Sequence, residues 1–409
     1  MHLKVAQNAF YQALARSGTA FIGFLITVLI AQKFGLNGFG DFTKITSYVA
    51  LFYLAVDFGL NAFFLQYEKP DFRNLFYLRN IISLIIFFVI NIIVFILPYN
   101  SSLGSGFSQT VKTGVFIYSF TVFTQSIIMS TASIFQARFK YFYYMVGVVS
   151  GALVNLFLIF IFVFLNFSIY YVLVSFLFGG LVSSVTLLYF TKEKIFPLYL
   201  EPGFVKKILS KSWPIGLMLI FNLIYFRADM FILSMLKSSS DVGIYGLAYK
   251  FFDFLIALPL FLSNAVYPLL LKTKNNSKEF YKISFRYFWI FLVLSLIVII
   301  PFWFASPLFA FIRTGFIDSI IPFRILLISL PFFFTTSFMQ WILITQGKQK
   351  FLMWVYLIST ITNIILNIIF IPAYSYLASS VITVLSEGLV FLFLLWQTLF
   401  TKKILEKES

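Results

Sequence analysis

Runs of about 20 apolar residues, each long enough to cross the hydrocarbon core of a bilayer as a helix, recur along the whole chain. They fall near 10–32, 43–66, 78–98, 112–137, 142–165 and 169–190, and resume near 213–236, 243–271, 283–304, 320–346, 351–371 and 377–400. In lipid every backbone N–H and C=O must be satisfied within the segment, so such runs are helices. The expected fold is an all-α polytopic membrane protein with about twelve transmembrane helices. Composition agrees, with 61% hydrophobic and 11% charged residues, whereas soluble domains carry about 25% charged residues. Breaks are expected in the fourth helix, in the eighth at Pro259 and Pro268, and in the tenth at Pro331.

The net charge of +16 would suggest a nucleic-acid partner in a soluble chain, but its distribution suggests a membrane. Most basic residues fall on one side of the expected helices: Arg73 and Arg79, Arg138 and Lys140, Lys206 and Lys207, Lys278 and Lys282, Lys348 and Lys350. The opposite side holds only Lys33, Lys44, Lys112, Lys237, Arg313 and Arg324. By the positive-inside rule both termini are expected to be cytoplasmic, in the inner membrane, with helix 1 retained as a signal anchor. Trp213, Trp289, Trp341, Trp354 and Trp396 fall toward the same cytoplasmic ends, as an interfacial belt would.

The charged stretch 196–212 divides the chain into an N-terminal six-helix lobe, 1–195, and a C-terminal one, 213–409. A weak repeat supports the division. Lys140, Asn155 and Gly180-Leu181-Val182 recur 208 positions later as Lys348, Asn363 and Gly388-Leu389-Val390. An even number of helices per lobe gives both lobes the same orientation, a parallel repeat with substrate between the halves.

Ionisable residues inside spans are costly, about 2.5–3.5 kcal/mol near the centre on insertion scales, so the few present are functional or structural anchors. They are Asp57, Arg227, Asp229, Lys250, Asp253 and Glu387, with Arg16 one or two turns into helix 1. Depth from the turn at Ser239–Ser240 pairs Asp229 with Lys250 and Arg227 with Asp253. These are either structural ion pairs or the border of a polar cavity, with Arg227 meeting an anionic substrate. On helix 1, Asn8, Gln12, Arg16, Thr19, Gly23 and Thr27 fall within an arc of about 100° at about 100° per residue. That polar stripe faces other helices or water, and an arginine on it suits phosphate oxygens. Asn363 and Asn367 could hydrogen-bond a neutral Glu387, whose other reading is a proton or cation-coupling site. Asp57 could cap a helix or pair with a basic residue at the inner rim.

Several classes of chemistry are excluded. There is no cysteine, and His2 is the single histidine, so thiol catalysis, histidine triads and Cys/His metal clusters are impossible. No phosphate-cradling Gly-Lys-Ser/Thr loop occurs, and no extramembrane segment could house a soluble catalytic domain. The outer loop 99–111 is uncharged and expected to be flexible. The chain reads as a transporter rather than an enzyme, with no cofactor and no nucleic-acid partner.

Several segments resemble one family throughout: Phe39-Gly40-Asp41-Phe42 through Asp57-Phe58-Gly59-Leu60-Asn61; Arg227-Ala228-Asp229; Val242-Gly243-Ile244-Tyr245 through Lys250; Thr345-Gln346-Gly347-Lys348; Asn363 to Asn367; and Leu385-Ser386-Glu387. They resemble the polysaccharide-transport flippases, the Wzx-like group of the MOP exporter superfamily. In one place the chain departs from that pattern: Pro372 is followed by Ala373-Tyr374-Ser375-Tyr376, where the family commonly has a glycine-containing turn. The resemblance implies two six-helix lobes around a central cavity. It also implies alternating-access transfer of undecaprenyl-diphosphate-linked oligosaccharide from the cytoplasmic to the outer leaflet. Substrate contacts are then expected at Asn8, Gln12, Arg16, Arg227 and Lys250, and coupling or gating at Asp57, Asp229, Asp253 and Glu387. H+ or Na+ is the expected coupling ion, and other polysaccharide-assembly membrane proteins are expected partners. The alternative reading is an ion-coupled exporter of drugs or other small molecules in the same superfamily.

Overall fold

A computed structural model describes the backbone of residues 2–64, 71–193 and 200–408. The loop residues Tyr67–Pro70, Lys194 and residues 196–199 of the expected linker lie outside the described residues. So do the side chains of His2, Lys4, Lys207, Lys211, Trp213, Lys402, Lys403 and Lys407.

The chain is all-helical apart from one short hairpin. Helix α1 (His2–Asp57) is followed by α2 (Leu60–Phe64), α3 (Phe72–Ile96) and a two-stranded hairpin, β1 (Tyr99–Asn100) and β2 (Ser105–Gly106). Then come α4 (Gln109–Ser119), α5 (Thr121–Ala137), α6 (Tyr141–Phe164), α7 (Ile169–Thr191), α8 (Pro202–Leu236) and α9 (Ser239–Thr273). The chain ends with α10 (Ser277–Ala305), α11 (Phe309–Ile312), α12 (Ile320–Ile328), α13 (Leu330–Thr345) and α14 (Gln349–Glu408).

Among the described residues nine helices are long and apolar enough to cross a membrane. Two of them are broken internally, α1 at Gly35 (φ 63°, ψ −166°) and α14 at Ser375 (φ 51°, ψ −137°). The all-α multi-pass architecture is thereby established, without fixing twelve as the number of crossings. The expected helix over 112–137 divides at Phe120 into α4 and α5. Pro331 sits in the first turn of α13, directly after the break at Ser329. Pro259 and Pro268, by contrast, lie inside α9, which continues as helix past both.

Large apolar side chains face outward, Phe95 and Phe311 each 81% exposed, as a lipid solvent allows. Small polar side chains share the interior with buried apolar ones. Ser126, Ser130, Thr131 and Ser133 of α5 are all at most 1% exposed, and Ser130 and Thr131 bond carbonyls of the preceding turn. Small residues let helices approach closely where lipid offers no hydrophobic drive.

Two compact units divide the fold. The first comprises residues 1–227 and 238–240, the second 228–237 and 241–409. Within the first, α5 ends in a Schellman turn. Phe139 takes φ 54°, its N–H bonds Gln136 O (3.2 Å), and Lys140 N–H bonds Phe135 O (2.9 Å). Within the second, α13 ends the same way. Gly347 takes φ 75°, its N–H bonds Ile344 O (3.0 Å), and Lys348 N–H bonds Leu343 O (2.9 Å). Every atom of the second turn lies 208 positions after its counterpart. The weak sequence repeat thus coincides with one shared helix-ending turn.

The outer loop differs from its expectation. Tyr99 pairs with Gly106 and Asn100 with Ser105, and Lys44, only 1% exposed, donates from Nζ to Gly106 O at 2.9 Å. An interior lysine thus pins an ordered hairpin.

Candidate substrate cavity

The first unit encloses a cavity of about 690 Å³, within the roughly 300–1,000 Å³ range of small-molecule sites. One wall is the polar stripe of α1, with Gln12, Arg16, Thr19 and Gly23 among its lining residues. Opposite lie Thr121, Thr124 and Gln125 of α5, Tyr141, Tyr144 and Asn155 of α6, and Gly179, Gly180 and Ser183 of α7. The close approach of α6 to α7 depends on glycine. A Cβ on Gly179 would lie 2.7 Å from Gly151 O and 2.8 Å from Asn155 Cβ.

Among the described residues Arg16 is the one charged side chain that lines the cavity, and no carboxylate does. Its guanidinium lies within electrostatic reach of Tyr141 and Tyr144. Gln12 Nε2 donates to Tyr141 OH (3.5 Å), and Asn8 Oδ1 accepts from Tyr141 N (2.8 Å). Asn8 thus anchors the start of α6 to α1 beside the cavity. Arg227, half-buried, and Lys250, exposed, are not among the lining residues.

Behind the cavity Asp57 pairs with a basic residue, as one of its two expected readings has it. That residue is Arg79, counted above with the cytoplasmic cations and fully buried. Its Nη2 pairs with Asp57 Oδ1 (2.9 Å) and donates to Asn61 Oδ1 (2.9 Å), and its Nη1 donates to Ser130 Oγ (3.1 Å). Asn61 also accepts from Ser133 and lines the cavity. Next to Asp57 the helix breaks at Phe58 (φ 43°) and Gly59 (φ 73°).

The remaining candidate carboxylates lie in the second unit. Asp229, 3% exposed, accepts from the Tyr245 hydroxyl, from Thr383 Oγ1 (3.4 Å) and from Met230 N (2.7 Å). Glu387, 2% exposed, accepts from Thr336 Oγ1 at 2.6 Å. Asn363 donates to Ser386 Oγ (3.1 Å) and Asn367 to Asn363, so Asn363 reaches the residue before Glu387. Asp253 is half-buried. Among the described residues no group of three or more His, Cys, Asp or Glu side chains could hold a metal ion.

A family model described as "Polysaccharide biosynthesis protein" matches residues 5–274. The chain belongs to that family. A second model, MatE, matches residues 214–369, and a search of curated protein sequences returned no match. Solved structures share the fold across both chains. One is the lipid II flippase MurJ in an inward closed conformation, 18% identical over 94% of this chain and 87% of that one, TM-score 0.76. A second is an inward-facing multidrug resistance MATE family transporter of the MOP superfamily, 15% identical over 96% of each chain, TM-score 0.78. A third is a MOP superfamily transporter from Pyrococcus furiosus, 14% identical over 97% and 95%, TM-score 0.64. Family and fold make this member of the polysaccharide biosynthesis proteins an all-α, multi-pass chain with the fold of the lipid II flippase and MATE structures.

Proposed function

We propose that the protein flips undecaprenyl-diphosphate-linked oligosaccharide from the cytoplasmic to the outer leaflet of the inner membrane, with both termini cytoplasmic. The observation that carries this reading is a cavity with one arginine and no carboxylate. A guanidinium meets a diphosphate through parallel, charge-assisted hydrogen bonds. An exporter of organic cations would need the opposite charge in its cavity, so the lining weighs against the drug-exporter alternative. Alternating access carries the head group across while the polyprenyl chain stays in lipid.

Coupling to H+ or Na+ is assigned to Asp229 and Glu387, two nearly inaccessible carboxylates held by hydroxyl groups. Asp57 belongs to gating, through Arg79 and the adjacent helix break. Arg227 and Lys250 are further substrate contacts and Asp253 a further coupling or gating residue, and other polysaccharide-assembly membrane proteins are the expected partners.

The test is flipping of a fluorescent undecaprenyl-diphosphate oligosaccharide in proteoliposomes. Wild type flips it, and Arg16→Ala, folded by thermal unfolding, loses at least about tenfold, the equivalent of about 1.4 kcal/mol. Full flipping by folded Arg16→Ala, or wild type moving organic cations but no glycolipid, sinks the reading.

A further inference from the structure

The cavity wall opposite Arg16 has features that an anion site does not require. Gln125 of α5 lines the cavity half-buried and makes no hydrogen bond to any described residue. Asn155 of α6, 7% exposed, is engaged at Oδ1 by Ser175 Oγ (2.9 Å), which leaves its Nδ2 unpartnered among the described residues. Neither amide is sealed from the cavity, so both can hydrogen-bond a polar occupant there. An amide offers donors and an acceptor together, which matches a hydroxyl group, itself donor and acceptor. Tyr53, Tyr118, Tyr144 and Phe176 supply rings around the same space, each an apolar face and, for tyrosine, a polar tip.

The second unit shows that this space is not a default of the fold. The residues 208 positions after Thr124, Gln125 and Ser183 are Phe332, Phe333 and Phe391. The correspondence holds in contacts. A Cβ on Gly180 would meet Thr124 Oγ1 at 2.5 Å, and one on Gly388 would meet Phe332 at 3.8 Å. In the second unit the Phe332 and Phe391 rings pack at 5.5 Å between centroids. Thr124, Gln125 and Ser183 thus leave open and polar, in the first unit, what three phenylalanines occupy in the second.

We propose that Gln125 and Asn155 form the seat for an uncharged sugar ring of the lipid-linked glycan and read its hydroxyl groups. The inference rests on the function proposed above, in which Arg16 takes the diphosphate. With Arg16 so engaged, an acidic sugar would enter the cavity with no cation left to face it, so a neutral ring is selected over a uronic acid.

The test measures binding to the full-length protein in lipid nanodiscs. The probes are a fluorescent prenyl diphosphate, the same lipid carrying one N-acetylhexosamine, and the same lipid carrying one hexuronic acid. Wild type is expected to bind the neutral glycolipid at least tenfold tighter than the bare or acidic lipid. Gln125→Leu and Asn155→Leu, with the closer-sized Gln125→Met guarding against misfolding, should collapse that ratio toward one. Equal affinity of wild type for all three lipids, or an unchanged ratio in folded Gln125→Met, overturns the seat. If no diphosphate lipid binds, the anion reading fails by itself, and methyl N-acetylhexosaminide then decides. Binding lost in Gln125→Met upholds the seat, and no binding overturns it.

Discussion

Replacing Asp57 by asparagine should be among the most destabilising single changes in the first unit. The substitution keeps the size and an acceptor oxygen but removes the charge facing Arg79, a side chain with no exposure at all. Arg79 spends one Nη2 contact on Asp57 and others on Asn61 and Ser130, while its Nε has no partner. Three neutral acceptors do not neutralise a buried guanidinium. Breaking such a pair from one side costs about 3–5 kcal/mol, whereas replacing both partners with apolar side chains of similar volume is often neutral or stabilising. Asp57→Asn should therefore lose about 3–5 kcal/mol, and Asp57→Leu with Arg79→Met should recover most of it. The assay is a double-mutant cycle by reversible unfolding in mixed micelles, in which the double variant should lose far less than the sum of the two single losses. A loss under about 1 kcal/mol for Asp57→Asn, or purely additive single variants, would refute the reasoning.

Three other outcomes follow from local geometry. Ser375 holds φ 51°, ψ −137° with a buried hydroxyl that has no partner. Relief of about 1–3 kcal/mol of strain, less about 0.5–1 kcal/mol for glycine's extra freedom, makes Ser375→Gly stabilising by roughly 0.5–2 kcal/mol, read as a raised unfolding midpoint. Gly179→Ala drives a methyl to within 2.7 Å of Gly151 O, and overpacking of this kind costs about 1–3 kcal/mol, seen as a lowered midpoint. Glu387→Gln keeps an acceptor for Thr336, so the midpoint should move by less than about 1 kcal/mol while flipping in proteoliposomes ceases to respond to an imposed H+ or Na+ gradient.

Much of the fold was legible because a bilayer permits so few solutions. Apolar runs became helices, and Pro331 and the run at 112–137 marked real breaks. Pro259 and Pro268 did not interrupt α9; a proline inside a membrane helix can have its freed carbonyls satisfied locally or by neighbours. The stripe on α1 was visible in the 3.6-residue period, and its members Gln12, Arg16, Thr19 and Gly23 line the cavity. The opposite wall was not legible, since the rotation of α5, α6 and α7 about their axes is set by packing. The burial of Arg79 was not legible for a related reason. Its position in the chain gives depth along α3, but its partners Asp57 and Ser130 come from other helices. One signal for the missed residues was present, the exchange of Gln125 for Phe333 between repeats that otherwise share Asn155 and Asn363.

That exchange also indicates how a duplicated helix bundle could divide its labour. In the first unit, the positions of Thr124, Gly179 and Ser183 are small, and the space beside them is open, polar and served by one cation. In the second, the matching positions are Phe332, Glu387 and Phe391, where aromatic packing excludes water and leaves a carboxylate 2% exposed. Burying a bare carboxylate charge is costly, which is the physical basis for proposing Glu387 as the coupling site. A solvated cavity, by contrast, can hold a large polar head group without tight coupling to one ion. Such a division makes a sharp demand on variants. Changes at Gln125 and Asn155 should alter which glycan moves, changes at Glu387 should alter what drives the movement, and a double variant should show the two effects independently.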